Sequence, residues 1–330
     1  MTNKISLLGP NSGTTTKPDE ESFAGFVQSL GRNTPEGTEP GVYVFLDFDN
    51  DPCEKLPKNQ ERPPAVLVRQ EPSVVRPQNY RADYIKHMSM VIDVGRSPFA
   101  SKSRINWPQR WTLEHLVSPK IASSERINRV TIINANKMSF AKGELYTLRR
   151  IATQKSSDID VWGFDWDMPW FRRATKAFEE LLIPLKHGFG IKPAAIKGWY
   201  KSPLSFKGIS EDKLSTLASY KYALVIENSI EYMSEKLFDS LFAGTFPIYV
   251  GPNPVDFGMP EFVAIHARPD IDSIMKAIEQ ARKVDLDVWR SSVLDWLKSD
   301  GVEQAWSWAF VVQQIIDRID KTLLKRLTGS

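Results

Sequence analysis

Ser219-Tyr220-Lys221-Tyr222-Ala223-Leu224-Val225-Ile226-Glu227-Asn228-Ser229-Ile230-Glu231-Tyr232-Met233-Ser234-Glu235-Lys236-Leu237-Phe238-Asp239-Ser240-Leu241-Phe242-Ala243-Gly244-Thr245-Phe246-Pro247-Ile248-Tyr249-Val250-Gly251 reads as strand, polar turn, helix, glycine and strand. Residues 222–226 are a short apolar run of the kind a buried strand requires. The helix is expected over 232–243, closed by Gly244 in the position favoured just past the last turn, and 246–250 is the next strand.

In such a unit ligands bind beyond the carboxyl ends of the strands, where the following helix directs unpaired N–H groups and partial positive charge. A diphosphate suits that position. Glu227 and Asn228 lie where the strand ends, and Tyr232, Glu235 and Lys236 fall on the expected first helical turn, so all five can face one crevice. Lys236 can neutralise a phosphate and Glu235 can hold ribose hydroxyls. The spacing alone fits a second reading equally well, in which Glu231, Glu235 and Lys236 decorate a solvated first turn.

Outward from this segment the pattern continues. Strands are expected over 129–134 and 158–162, with a helix between them on Phe140, Leu145, Leu148 and Ile151. Helices are expected over 169–182, 210–218 and 271–281, and a long amphipathic helix over 302–327. Strands alternating with helices predict a parallel, doubly wound α/β sheet in this half. In the first half, strands are expected over 41–48, 65–68 and 88–94, with a short helix around 20–30 and a proline-rich loop carrying Pro52, Pro57, Pro63 and Pro64. The shift to Ser, Pro and charge over 117–128 places the boundary there, giving domains 1–122 and 123–330, with the last helix packing back on the N-terminal domain or lying on a membrane surface.

At 330 residues the chain holds about two domains. Hydrophobic residues at 42% and charged residues at 25% allow each a core and exclude global disorder. A net charge of +3 argues against a nucleic-acid partner. Residues 186–221 nevertheless hold seven lysines against Glu211 and Asp212, a local balance of +5 that leaves the remainder at −2. The single Cys53, with His87, His115, His187 and His266, shows no metal-ligand spacing. Residues 1–10 lack the apolar core of a signal peptide and no window approaches a membrane span, so a cytoplasmic protein is expected, at most peripheral to the inner face of a membrane.

The segment resembles the α1,3/α1,4-fucosyltransferases of glycosyltransferase family 10, of bacterial type. Their donor-site signature is a Tyr-Lys-Phe strand, Glu-Asn-Ser, a short loop, Tyr-x-Thr-Glu-Lys and a Gly-x-x-Pro-Ile-Tyr strand. Its counterparts here are Tyr220-Lys221-Tyr222, Glu227-Asn228-Ser229, Tyr232-Met233-Ser234-Glu235-Lys236 and Gly244-Thr245-Phe246-Pro247-Ile248-Tyr249, with Asp212-Lys213 and the 129–136 strand also matching. The resemblance implies the glycosyltransferase B fold, two Rossmann-like domains facing a central cleft. It also implies transfer of L-fucose from GDP-fucose to a GlcNAc- or Glc-containing glycan, most often α1,3, with inversion and with no obligatory metal or cofactor. Glu235 would bind the ribose, Lys236 the phosphates, and Asn228, Tyr232, Glu227 and Asn134 would complete the donor site.

The family's base is a Glu after an N-terminal-domain strand, which Val66-Leu67-Val68-Arg69-Gln70-Glu71-Pro72 matches, making Glu71 the expected base. Without the resemblance, Glu71 would read as a surface acid paired with Arg69 or Arg76. Ser234 stands for Thr and Tyr222 for Phe. The family's diphosphate-binding Arg has no counterpart in 197–208, where Lys201 or Lys207 would substitute, and Lys142 is the nearest cation for a second Arg expected after Asn134. A different nucleotide sugar, or a sugar-nucleotide-binding protein without turnover, are the alternatives these departures leave. Asp47-Phe48-Asp49, Asp158-Ile159-Asp160, Asp165-Trp166-Asp167 and Asp285-Leu286-Asp287 imitate an Asp-x-Asp metal motif, but four copies in one chain read as ordinary strand ends and turns.

Overall fold

The structure, a computed structural model, describes residues 4–8, 32, 34, 40–48, 51–58, 63–99, 101, 104–109, 111–116, 122–187 and 191–328, the side chains of 187 and 322–328 excepted. The helix expected over 20–30 lies outside them. The chain divides into two compact units, Met1–Arg110 with Glu303–Ser330, and Trp111–Val302. The expected division at 122/123 therefore moves to 110/111, and the C-terminal residues return to the first unit.

The first unit carries one parallel sheet in the order β1 (Ile5–Leu8), β2 (Val42–Leu46), β3 (Ala65–Arg69), β4 (Met90–Val94), β5 (Arg104–Ile105), with a short α1 (Ala82–Ile85) before β4. Alternation along the strands sends Val42, Val44, Leu46, Val66, Val68, Ile92 and Val94 to one face, and Phe45, Ala65 and Leu67 to the other with Phe48 and Leu56. The expected C-terminal helix is broken into α8 (Asp300–Trp306) and α9 (Trp308–Thr328) where Gln109 N donates to Trp306 O and pairs with Ser307. α9 buries Val311, Val312, Ile315, Ile316 and Ile319 against the first face, so this stripe serves the core of the first unit.

The second unit is a six-stranded parallel sheet in the order β11 (Ile265–His266), β10 (Phe246–Val250), β9 (Tyr220–Ile226), β6 (Ile127–Ile133), β7 (Ile159–Trp162), β8 (Phe206–Gly208). The connecting helices are α2 (Tyr146–Lys155), α3 (Trp170–His187), α4 (Lys213–Ala218), α5 (Lys236–Phe242), α6 (Ile271–Ala281) and α7 (Leu286–Leu297). The chain runs outward from β6 through β7 and β8, then returns to the other side of β6 with β9 and runs outward through β10 and β11. Strand order therefore reverses between β6 and β9, the kind of switch point where open α/β sheets take ligands.

α5 departs from expectation. It has seven residues rather than starting at 232, and Glu235 is its N-cap. The cause is Glu227, whose carboxylate accepts from Ser234 N at 3.0 Å and Ser234 Oγ at 2.7 Å and so holds 232–234 out of the helical ladder. The helix-dipole argument for this turn is correspondingly weak. Gly244 (φ 64) closes α5 in the left-handed conformation, as its position predicted.

Candidate functional site

At the switch point, Asn134 follows β6, and Glu227 and Asn228 follow β9. A narrow cleft there is lined by Ile133 and Asn134, by Val225 of β9, and by Lys213, Lys236 and Ser240 of α4 and α5.

Glu227 is the hub of this end of the sheet. It is fully buried, and besides Ser234 it accepts from Lys236 Nζ at 3.4 Å and Tyr249 Oη at 3.3 Å. Burial, reinforced by the Glu227 charge, pushes the Tyr249 phenol well above its ordinary value. Both Glu227 oxygens are therefore engaged by Ser234, Lys236 and Tyr249 and hold the loop, where the sequence pattern has Glu227 facing the crevice. A backbone comes so close here that only glycine fits: a Cβ on Gly251 would stand 2.7 Å from Tyr249 Oη and 2.8 Å from Glu227 Cγ.

Lys236 Nζ also donates to Ser234 Oγ at 2.7 Å. Burial alone would pull its ammonium down, but Glu227 and Glu235 beside it hold it above the ordinary lysine range. Lys236 therefore stays a cation at neutral pH. Lys213, which Asp212 places at the first position of α4 by capping Leu214 N and Ser215 N, pairs with Asp239 and lies 3.9 Å from Glu235. Asp239 is held in turn by Trp111 Nε1 at 2.7 Å. Tyr232 is buried in the loop between Asn228 and Glu235.

The sequence reading missed Arg149. It reaches from α2 to the end of β9, donating to Ile226 O through Nε at 3.1 Å and Nη2 at 2.6 Å, and to Asn228 Oδ1 through Nη2 at 2.9 Å. Burial pulls its guanidinium below the ordinary arginine range, partly offset by Tyr146 and Glu227. The signal was the pair Arg149-Arg150 in an otherwise apolar-periodic helix, where both side chains are buried.

The lysines proposed from sequence fare differently. Lys142 is exposed in the turn before α2, whose Gly143 abuts Ser229 and Ile230, while the buried Arg149 is the cation that reaches Asn228. Lys207 lies at the β8 edge, 3.7 Å from Asp160, in a cluster with Arg129 and the Tyr220 hydroxyl toward the amino ends of the strands. Lys201 is exposed next to the C-terminal end of α2, where its carbonyl accepts from Gln154 Nε2 at 2.9 Å. Neither joins the cleft, because closeness in sequence to β9 becomes the far edge of the sheet in this strand order.

Glu71 follows β3 in the first unit. Its backbone is clamped from both sides: Glu71 N donates to Asp47 Oδ1 at 3.3 Å and Tyr80 Oη donates to Glu71 O at 3.2 Å. Asp47, in a left-handed conformation (φ 60) and fully buried, also accepts from Gln70 N at 2.8 Å and Asn79 Nδ2 at 2.6 Å. Arg69 is taken by Asp93 in a two-bond pair at 2.6 and 3.0 Å. The other Asp-x-Asp copies have local roles as read: Asp160 pairs with Arg129, Asp165 with Lys176, and Asp285 caps α7. Among the described residues no helix is long and apolar enough to cross a membrane.

No family model matches the chain. The solved structure of an α1,3-fucosyltransferase with GDP-fucose superposes at a TM-score of 0.52 and 13% identity, over 98% of this chain and 90% of that one. α,α-Trehalose 6-phosphate synthase from Burkholderia multivorans superposes at 0.57 and 9% identity, over 96% and 79%. The fold is the glycosyltransferase B fold. Sucrose-phosphate synthase from Thermosynechococcus elongatus also has it, at 0.51 and 12% identity over 93% and 77%. By sequence, a fucosyltransferase-like protein of Arabidopsis thaliana is 36% identical over 73 residues, which are 21% of this chain and only 14% of that protein.

Proposed function

We propose that this glycosyltransferase B chain is an inverting fucosyltransferase, moving L-fucose from GDP-fucose to a hydroxyl of a GlcNAc- or Glc-containing glycan, in α1,3 linkage. The observation that carries this reading is the position of the motif: Glu227-Asn228-Ser229 and Glu235-Lys236 fall at the switch point of the parallel sheet, and Asn134, just after β6, lines the same cleft as Lys236. The local likeness to the Arabidopsis thaliana protein supports the fucosyl class.

In this reading the GDP diphosphate meets Lys236 and the Asn228 amide that Arg149 orients, and Glu235 takes the ribose hydroxyls. Glu71 accepts the proton of the acceptor hydroxyl as that oxygen bonds to the anomeric carbon from the face opposite GDP. The bond from the anomeric carbon to the β-phosphate oxygen breaks, and its electron pair leaves with GDP. Fixed cations offset that developing charge, so the leaving group needs no proton. Asp47 and Tyr80 hold the Glu71 backbone against displacement.

The test is transfer from GDP-fucose to a panel of glycan acceptors. Glu71→Gln is expected to lower kcat at least about 100-fold with little change in donor KM, and Lys236→Ala to raise donor KM and lower kcat together. Unchanged turnover in both variants overturns the assignments. Stabilisation by UDP but not GDP points to a different sugar nucleotide, and tight GDP-fucose binding without transfer or hydrolysis to a binding protein.

A further inference from the structure

Of the seven lysines over residues 186–221, Lys213 lines the donor cleft, Lys192 and Lys207 pair with Glu144 and Asp160, and Lys221 lies in β9, which leaves Lys186, Lys197 and Lys201. We propose that these three belong to a docking edge of the second unit, formed by α3 and the segment 191–209, that takes an anionic lipid surface.

α3 has two apolar faces. Ala177 and Leu181 pack inward on Ala195, Trp199 and Phe140. Trp170, Phe171, Phe178, Leu182 and Leu185 face out, between 46% and 74% exposed, and the spacing 171, 178, 182, 185 makes them one stripe. The adjoining segment exposes Ile196, Tyr200 and Leu204. Arg173 joins the two: its guanidinium donates to Met168 O, Trp166 O, Trp199 O and Lys201 O, and Trp199 Nε1 returns a bond to Arg173 O. Trp170, Phe171, Tyr200 and Lys201 therefore issue from one corner.

Cations are interleaved with these side chains. Arg172, Lys186, Lys197 and Lys201 are exposed, and among the described residues Lys197 and Lys201 form no ion pair. The exposed acids near this edge are Asp167 and Glu179, with Glu211 and Asp212 just beyond residue 209, where Asp212 caps α4. This mixture selects the occupant. A second copy related by a two-fold axis would bring the same unpaired lysines against themselves. A nucleic acid would satisfy the lysines but leave Phe178, Leu182 and Leu185 without apolar partners. The boundary between headgroups and acyl chains of an anionic bilayer takes both. The inference stands independently of the donor assignment.

The full chain should co-sediment with vesicles of phosphatidylcholine and phosphatidylserine and not with phosphatidylcholine alone, and added salt should release it. Lys197→Ala and Lys201→Ala should each lower partitioning about fivefold. Phe178→Ser with Leu182→Ser should weaken binding at every salt concentration, with an unchanged thermal melt showing that the fold is kept. Brominated lipid should quench tryptophan fluorescence in the parent chain, and less so in Trp170→Phe. Equal binding to neutral and anionic vesicles, or indifference to both lysine variants, overturns the proposal. So does a concentration-dependent dimer abolished by Phe178→Ser in a chain that ignores vesicles, or tighter retention on single-stranded DNA than on anionic vesicles.

Discussion

Asp47 carries more of the first unit's organisation than its place in a repeated Asp-x-Asp pattern suggests. Three donors converge on its Oδ1, two of them the backbone N–H groups of Gln70 and Glu71, yet burial outweighs them and pushes its pKa up from 3.8 to about 6. A carboxyl whose folded pKa is raised binds its proton more tightly in the native state. Its contribution is therefore fully present below pH 4 and lost as pH rises through about 6. Asp47→Asn keeps the acceptor and removes the titration. Urea unfolding across pH 4–7 should show the variant gaining on the parent by at most about 3 kcal/mol as pH rises, and a constant gap would refute the assignment. Arg149 makes the opposite case, a cation whose worth lies in shape. Lysine lacks the fork that spans Ile226 O and Asn228 Oδ1. Arg149→Lys should cost about 2 kcal/mol of stability and raise donor KM more than it lowers kcat, as steady-state kinetics would read.

Between β9, the 227–235 loop, α5 and β10 the packing leaves no slack. Gly251→Ala would force its new methyl against Tyr249 and Glu227, neither of which can retreat without breaking the Ser234 and Lys236 contacts. A loss of about 1–3 kcal/mol in denaturant unfolding is expected, together with reduced thermal stabilisation by GDP, because the same movement shifts Lys236. A variant that loses stability but keeps the full GDP shift would separate the hub from the donor site. The same elements show what was legible beforehand. Apolar runs ending in polar residues marked β6 and β9, so Asn134, Glu227 and Asn228 were placed at strand ends correctly. The start of α5 was not legible, because a buried carboxylate seven residues upstream competes for Ser234. Strands such as β5 and β11 have two residues each and carry no period to read. Lys201 and Lys207 lie away from the cleft for another reason: chain proximity to β9 says nothing about the strand order that sends β8 to the edge.

At identities of 9–13% to the structures it resembles, the whole molecule keeps its fold through topology rather than through shared side chains. Two parallel sheets need both faces covered, and in the first unit part of that cover comes from the end of the chain. α9 supplies five side chains, each no more than 2% exposed, to the face formed by Val44, Val66, Val68 and Ile92. At roughly 1.5–3 kcal/mol for each buried aliphatic side chain, their removal costs on the order of 10 kcal/mol, which is comparable to the net stability of an entire domain. A chain ending at Val302 should therefore lose the first sheet and keep the second, which belongs to the other compact unit. Hydrogen exchange followed by mass spectrometry distinguishes the outcomes. Loss of amide protection over β1–β5 with protection retained over β6–β11 is expected. Retention in both sheets would show that the helix covers the first sheet without holding it together, and loss in both would show that the second unit does not stand alone.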